Sequence, residues 1–174
     1  MPMKPNPEKS NPEKSNPEKS NQVALRALDI PPSPKQTGYP QPFLALVAGR
    51  EKRRLGDHFG LTNYGINLCR IKPGSVSSMR HCHSAQDEFI YILEGSPTLV
   101  TNAGATALSP GMCAGFKAGS GDAHQLRNDS SSEVWYLEIG DRSEGDLVVY
   151  PDVDLALHEK NGSSVYTHKN GDPY

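Results

Sequence analysis

From residue 64 onward, short apolar stretches alternate with turn residues along the chain. Gly and Pro close most of these stretches, for example at Pro73-Gly74, Glu94-Gly95 and Pro110-Gly111. The pattern predicts seven short strands, at residues 65–71, 88–93, 97–101, 105–108, 112–116, 124–128 and 133–139. Short strands that each end in a turn are typical of an all-β sandwich or barrel. We therefore expect an all-β protein with a jelly-roll β-barrel.

The segments on either side of this pattern are less regular. Residues 6–20 contain three identical copies of Asn-Pro-Glu-Lys-Ser, a polar composition that cannot bury enough surface to offset the entropy of ordering. Four segments are expected: a disordered leader at 1–21, an N-terminal arm packing on the barrel at 22–59, the barrel at 60–140 and an irregular C-terminal tail at 141–174.

Within the arm and the tail, local patterns predict few regular elements. An apolar run at residues 43–47 favours a short helix or an edge strand, and the prolines before it forbid a long helix. Residues 147–150 are expected to add an edge strand, and residues 152–160 a helical turn. Residues 50–54 are a run of charged side chains, which we interpret as a solvated face.

Composition and charge limit the classes of function. A chain of 174 residues with 35% apolar residues is long enough for one domain with a real core. Its net charge of −2 and pI of about 6.3 supply no field that would draw it to nucleic acid or to an anionic membrane. No apolar run approaches the length of a membrane span or a signal core. Three cysteines without CxxC spacing indicate a reducing compartment, so we expect a cytoplasmic protein.

Four side chains in the strand region form a candidate metal site: His81, His83, Glu88 and His124. Residues two apart in a strand point to the same face, so His81 and His83 can present both rings to one point. Neutral imidazole and carboxylate suit Fe, Mn, Ni, Cu or Zn, whereas Mg or Ca favours an all-oxygen shell. Four ligands leave open positions on a six-coordinate ion, as in catalytic sites. We predict one bound divalent transition metal ion.

The spacing of these residues resembles the two motifs of the cupin superfamily. The first, G-x5-7-HxH-x3-4-E-x6-G, is fitted by Gly74, His81, His83, Glu88 and Gly95. The second, G-x5-P-x-G-x2-H-x3-N, is fitted by Gly111, Gly119, His124 and Asn128, with Lys117 in place of the proline and a longer loop before His124. The resemblance covers residues 60–140. It implies a small β-barrel with the metal inside, and a role for Glu88 as a base that leaves the ion.

Strand alternation also predicts the wall around the ion. Glu88, Ile90 and Ile92 share one face, and Leu126 lies on the same face as His124. No inward Arg or Lys falls on these strands. We therefore expect a mainly apolar pocket, which disfavours substrates with several phosphates or carboxylates because these need an Arg clamp.

The function preferred on this basis is a mononuclear metalloenzyme that oxidises a small apolar or phenolic molecule with dioxygen, with Glu88 as the catalytic residue. A metal-dependent isomerase or lyase is the first alternative. A non-catalytic small-molecule-binding or sensor module is the second, because one barrel hosts many unrelated activities. The expected partner is a small molecule, with no nucleic acid and no membrane. Small proteins of this family commonly pair, so a homodimer is expected.

Overall fold

The computed structural model describes residues 23–34, 37–160 and 163–174, and the predicted leader at 1–21 lies outside these residues. The described part contains a 3-10 helix at Ala27–Asp29 and two short α-helices, α1 (Phe43–Leu46) and α2 (Leu55–His58). Its strands are β1 (Arg50–Arg54), β2 (Tyr64–Ile71), β3 (Cys82–His83), β4 (Glu88–Glu94), β5 (Thr98–Thr101), β6 (Gly104–Ala107), β7 (Cys113–Phe116), β8 (Gln125–Arg127), β9 (Val134–Asp141), β10 (Val148–Val149), β11 (Ala156–Lys160) and β12 (Ser163–Thr167).

The strands form three antiparallel sheets. A five-stranded sheet has the order β1-β2-β9-β4-β7, a three-stranded sheet the order β6-β5-β8, and a four-stranded sheet the order β12-β11-β10-β3. One apolar core joins the five-stranded and three-stranded sheets, with Ile71, Ile92 and Tyr136 from the first packed against Leu99 and Leu126 from the second. Two antiparallel sheets that share a core are the architecture of a jelly roll, and the predicted fold class is confirmed.

All seven predicted strands of the barrel are present within two residues of their expected bounds. In the flanking segments, the helix at 43–47 and the edge strand at 147–150 are confirmed as α1 and β10. The solvated face at 50–54 and the helical turn at 152–160 are wrong. Residues 50–54 are strand β1, which pairs with β2, and residues 156–160 are strand β11, which pairs with β12. The secondary structure of both segments is determined by the strands with which they pair, and local charge patterns do not contain that information.

The two ends of the chain pack together beside β3. Tyr39, Phe43 and Val47 of the arm form a second apolar core with Tyr150 and Leu155 of the C-terminal part. The arm also runs along the five-stranded sheet, where the Ser33 N–H donates to the Lys52 carbonyl at 2.9 Å. Both ends therefore contribute to the walls of the cavity described below. Within the described ranges, no helix has the length and apolar character needed to cross a membrane.

Candidate metal centre

Backbone pairing brings two of the predicted ligands together across the barrel. His81 and His124 form an isolated antiparallel bridge, in which the His81 N–H donates to the His124 carbonyl at 3.1 Å and the His124 N–H donates back at 2.8 Å. His83 ends β3, and Glu88 begins β4 on the inner face of the five-stranded sheet. His81 and His124 are 43 positions apart in sequence and are thus held together by one hydrogen-bonded backbone bridge.

The side chains of the four predicted ligands converge on one oxygen atom. Oε2 of Glu88 lies 2.9 Å from Nε2 of His124, 3.4 Å from Nε2 of His83 and 3.7 Å from Nε2 of His81. His81, Glu88 and His124 offer ligand atoms that all lie within 4.8 Å of one another, and His83 borders this group. Among the described residues, Oε2 is buried without a hydrogen bond of good geometry. An orphaned carboxylate oxygen that faces three imidazoles fits a bound cation.

Hydrogen bonds on the far side of two imidazole rings fix their orientation. Nδ1–H of His81 donates to the Met79 carbonyl at 2.9 Å, and Nδ1–H of His83 donates to Oδ2 of Asp146 at 2.6 Å. Both bonds leave Nε2 as the inward lone pair, which is how proteins orient metal-binding histidines. The Asp146 carboxylate is itself held by the backbone N–H groups of Ala85 and Gln86.

Stacking supports two of the rings. The Phe116 ring lies parallel to that of His124, with centroids 3.5 Å apart and 6° between planes. The Tyr150 ring lies against His81 with centroids 5.9 Å apart and 25° between planes. Sequence reasoning identified none of these supporting residues, because Asp146, Phe116 and Tyr150 are ordinary residue types at positions far from the motifs.

The protonation states of the site suit metal binding. Burial lowers the pKa of His81 to about 4, so its ring is neutral at pH 7. Burial alone would raise the pKa of Glu88, but the approach of His124 and the other imidazoles outweighs it and holds that pKa at about 2. Neutral imidazole and ionised carboxylate are the forms that bind a metal ion. The donor set fits Fe, Mn, Ni, Cu or Zn, and the identity of the ion stays open.

The departure from the second motif is accommodated in the loop before His124. Gly119 adopts a left-handed φ of 68°, and its N–H donates to the His83 carbonyl at 2.9 Å. The preceding Ala118 N–H donates to Oδ1 of Asp87 at 2.7 Å. These two bonds tie the longer loop to the segment that carries His83 and Glu88, so the loop still delivers His124 to the cluster.

A cavity of about 410 Å³ opens beside the candidate ligands. Its walls come from β1, β4, β7, β8, β9 and the segment 77–83 that leads into β3, together with the arm and the C-terminal sheet. The prediction of a mainly apolar pocket is wrong. Although Ile90 and Leu126 line the cavity as expected, so do Arg50, Lys52 and Arg54, which come from the strand that the sequence pattern did not reveal.

The charged part of this wall follows from sheet register. Arg54 pairs with Asn67, Asn67 pairs with Glu138, and Glu138 pairs with Ile90, so these side chains form one row on the inner face. Nζ of Lys52 donates to Oε1 of Glu138 at 2.5 Å, and Nδ2 of Asn67 donates to the same oxygen at 3.1 Å. We name Arg50, Lys52, Arg54 and Glu138 the charged wall.

Both members of the ion pair in the charged wall are ionised. Burial raises the pKa of Glu138, but the attraction of Lys52 outweighs it, so that pKa lies below its ordinary value. Burial likewise lowers the pKa of Lys52, and Glu138 more than offsets it. A signal for this pair existed in the sequence. Glu138 interrupts an inward-facing series that otherwise contains Val134 and Tyr136, and a carboxylate at such a position requires a partner.

Three tyrosines close the side of the cavity formed by the two ends of the chain. The rings form a triangle, in which the centroid of Tyr39 lies 6.1 Å from that of Tyr150 and 5.1 Å from that of Tyr166, and the last two lie 6.5 Å apart. Oη of Tyr39 accepts the Met79 N–H at 3.3 Å. Burial raises the pKa of Tyr39 to about 12 and also raises that of Tyr150. The phenols are therefore neutral and offer hydroxyl groups to a polar ligand.

Comparisons with known proteins agree with this architecture. The Cupin domain family matches residues 67–140. A crystal structure described as a sugar phosphate isomerase from a cupin superfamily, from Silicibacter pomeroyi, is 35% identical over 87% of this chain and 96% of that chain, with a TM-score of 0.81. A proposed sugar phosphate isomerase from Acidithiobacillus ferrooxidans is 32% identical over 72% of this chain and 80% of that chain, with a TM-score of 0.64.

A polyketide cyclase from Streptomyces resistomycificus shares the fold alone, with 17% identity over 69% of this chain and 79% of that chain and a TM-score of 0.57. No curated protein sequence matches the chain at a significant level. The jelly roll and its inward histidine and glutamate cluster define a small single-domain β-barrel protein with a candidate metal site. The chain belongs to the cupin superfamily, as the family match and the 35% identity to a cupin structure show.

Proposed function

We propose that this protein is a metal-dependent isomerase of a small phosphorylated sugar. The observation that carries the proposal is the charged wall, which lines the same cavity as the imidazole and carboxylate cluster. Three cationic side chains and two carboxylates, Glu88 and Glu138, face this cavity. A divalent ion would add two further positive charges. The cavity therefore favours an anionic ligand.

Phosphate is the anion that suits these residues. A guanidinium binds a phosphate through two parallel N–H donors, and the two negative charges of a phosphate monoester match several cationic side chains better than the single charge of a carboxylate does. Arg54 keeps about half of its side-chain surface accessible, at 54%, so it is placed to meet a phosphate that enters from solvent. Arg50 lies deeper, where its Nη1–H donates to the Ser77 carbonyl at 2.5 Å.

The rest of the cavity suits a polyol. Tyr39, Tyr150 and Tyr166 present hydroxyl groups and ring faces, and a sugar has both hydroxyls and apolar C–H faces. A volume of about 410 Å³ falls within the range of small-molecule sites, roughly 300–1,000 Å³. The apolar or phenolic substrate that the sequence predicts would need fewer charged side chains around it than the charged wall contains.

The reaction class follows from what the site offers. A divalent ion held by His81, His83, Glu88 and His124 would act as a Lewis acid on a carbonyl or hydroxyl oxygen. The charged wall would bind the phosphate and hold the sugar against that position, and burial would exclude bulk water. Interconversion of an aldose and a ketose needs these contributions and no external oxidant. The two similar structures described as sugar phosphate isomerases, one of them a proposed one, support the same class.

The proposal is tested with purified protein loaded with Fe, Mn, Ni, Cu or Zn in turn. Aldose and ketose phosphates with three to six carbons are supplied, and the products are separated by chromatography beside the same sugars without phosphate. We expect one phosphorylated pair to interconvert, and its unphosphorylated counterpart to react far more slowly. The His81→Ala/His83→Ala variant is the control for contaminating isomerases. Equal rates with and without phosphate, or no conversion with any metal, would contradict the proposal.

A further inference from the structure

The carboxylate of Glu138 has no role in holding the candidate metal ion. It comes from the inner face of β9, whereas the ligands come from β4 and from the bridged segments at His81 and His124. It nonetheless lines the same cavity. A buried ion pair costs stability to maintain, and two well-packed apolar side chains in place of both Lys52 and Glu138 would serve the fold as well.

The register fixes the distance from Glu138 to the metal cluster. Glu138 lies opposite Ile90 and Gly140 lies opposite Glu88, so the two glutamates are diagonal neighbours on one face of the sheet. Diagonal neighbours in an antiparallel pair are typically about 7–8 Å apart. When a ligand binds at the metal cluster through oxygens on two adjacent carbons, Glu138 therefore lies no more than one or two carbon atoms further along the ligand.

The two oxygens of Glu138 are in different environments. Oε1 accepts from Nζ of Lys52 at 2.5 Å and from Nδ2 of Asn67 at 3.1 Å. In the described part of the chain, Oε2 has only the Sγ of Cys69, at 3.9 Å, a weak donor. One oxygen is thus held in place by two N–H donors, while the lone pairs of the other are available.

We propose that Glu138 is the proton-transfer residue of the isomerase, an inference that rests on the proposed function. Oε2 takes the proton from the hydroxyl-bearing carbon next to the substrate carbonyl. The C–H electron pair becomes the C=C bond of an enediolate, and the carbonyl electron pair moves to its oxygen, which carries the negative charge. The two enediolate oxygens exchange one proton between them, and Glu138 returns its proton to the neighbouring carbon. The substrate is isomerised, and no oxidant or reductant is consumed.

Lys52 and Asn67 are positioning residues in this scheme. They hold Oε1, so that Oε2 keeps one orientation, and the Lys52 ammonium offsets the negative charge that develops on the substrate. Glu88, in contrast, directs Oε2 toward three imidazole nitrogens. Loss of Glu88 should release the ion, whereas loss of Glu138 should not.

The test compares Glu138→Gln with the wild type in heavy water, with the sugar phosphate pair found in the screen above. Deuterium incorporation at the product carbon, kcat, KM and bound metal are measured on each. We expect Glu138→Gln to keep its metal and a KM within about threefold, and to lose about 10²–10⁴ in kcat together with the deuterium exchange. Glu133→Gln, which changes an exposed glutamate just before β9, is the matched control and should behave as wild type.

Two further variants keep the test decisive if Glu138→Gln does not fold. Glu138→Asp retains the charge next to Lys52, and the Lys52→Met/Glu138→Gln double variant removes both charges, which avoids an isolated buried ammonium. Both should fold and lose exchange. An active wild type together with undiminished exchange in a folded variant would overturn the role of Glu138 alone. A metal-loaded wild type that isomerises no sugar phosphate would overturn the proposed function and this role with it.

Discussion

The candidate metal cluster and the charged wall lie in one cavity, yet they differ in how they are encoded. The cluster uses histidines at fixed spacing on adjacent strands, and its four ligands fall within 44 residues of the chain. The charged wall combines Arg50 and Lys52 of β1 with Glu138 of β9, which is 86 residues from Lys52. A site made of rare residue types at short, fixed spacing can be recognised in the sequence before the fold is known. Common charged residues become a site only when a strand pairs with another strand.

The two regions also differ in how they are held. The rings of His81 and His83 are fixed by Nδ1–H bonds to Met79 and Asp146, and the ring of His124 is held by stacking on Phe116. In the charged wall, Lys52 and Glu138 hold each other as an ion pair, Arg50 donates to the Ser77 carbonyl and Arg54 pairs with Asp57. We expect the cluster to determine whether the metal ion binds, the cationic side chains of the charged wall to determine which substrate binds, and Glu138 of the same wall to take part in the reaction.

The largest effect should come from the cluster. His81→Ala/His83→Ala should reduce bound metal from about one ion per chain to below about a tenth, because two of four ligands are lost. Isomerase activity should disappear with the metal. Elemental mass spectrometry on protein purified without a chelator measures this directly. His58→Ala, which removes an exposed histidine outside the cavity, should keep both the metal and the activity. Metal retained by the double variant would contradict the assignment of His81 and His83 as ligands.

The next effect concerns the stability of the charged wall. Glu138→Gln leaves the Lys52 ammonium buried without its counter-ion, and should cost about 3 kcal/mol in the free energy of unfolding at pH 7. The pKa of Glu138 is lowered in the folded protein, so its contribution is fully present above the unfolded pKa of about 4.3 and is lost as pH falls through the folded pKa.

Urea unfolding at pH 7, 4 and 3 measures this dependence. The difference between wild type and Glu138→Gln should shrink as the pH falls. Glu133→Gln breaks an exposed ion pair with Arg70 and should cost less than about 1 kcal/mol at every pH. A cost for Glu138→Gln that is the same at pH 7 and pH 3 would show that folding does not lower the pKa of Glu138, and a cost that grows at pH 3 would show that the folded carboxyl group is neutral at pH 7.

A smaller effect should separate orientation from ligation. Asp146→Asn removes the charged acceptor of His83 Nδ1–H and leaves all four ligands in place. The affinity for the metal should fall about 10–100-fold. Competition with a chelator of known affinity gives the two dissociation constants. Asp129→Asn, at an exposed position paired with Arg127, is the control. An unchanged affinity would mean that backbone pairing alone orients His83.

The smallest effect is expected at the edge of the cavity. Arg54→Ala should raise KM for the phosphorylated sugar about tenfold, the lower end of what a hydrogen bond to a charged group contributes. The metal content and kcat should stay close to those of the wild type. Arg127→Ala removes an exposed arginine on β8 and should leave KM unchanged. If Arg54→Ala raises KM equally for a sugar without phosphate, Arg54 does not bind the phosphate.

The sequence predicts the barrel strands and the clustering of the candidate ligands because both depend on local signals. Strand alternation and turn residues mark β4 or β9 without knowledge of their partners, and the spacing of His81, His83 and Glu88 fixes one face. Strand β1 has no such signal, because its run of Arg, Lys and Glu side chains is also what a solvent-exposed segment would contain. Its inner face is defined only by pairing with β2. The expected homodimer and the cytoplasmic location stay predictions.

The cavity is closed by Tyr39 from the arm and by Tyr150 and Tyr166 from the C-terminal part, all outside the stretch 67–140 that matches the family. The stretch that matches the family therefore contains the candidate metal ligands and Glu138, whereas Arg50, Lys52 and the tyrosines lie in the segments that flank it. Such a division makes the protein modular. Exchange of the terminal segments between related barrels should transfer substrate preference while the four candidate metal ligands stay with the recipient.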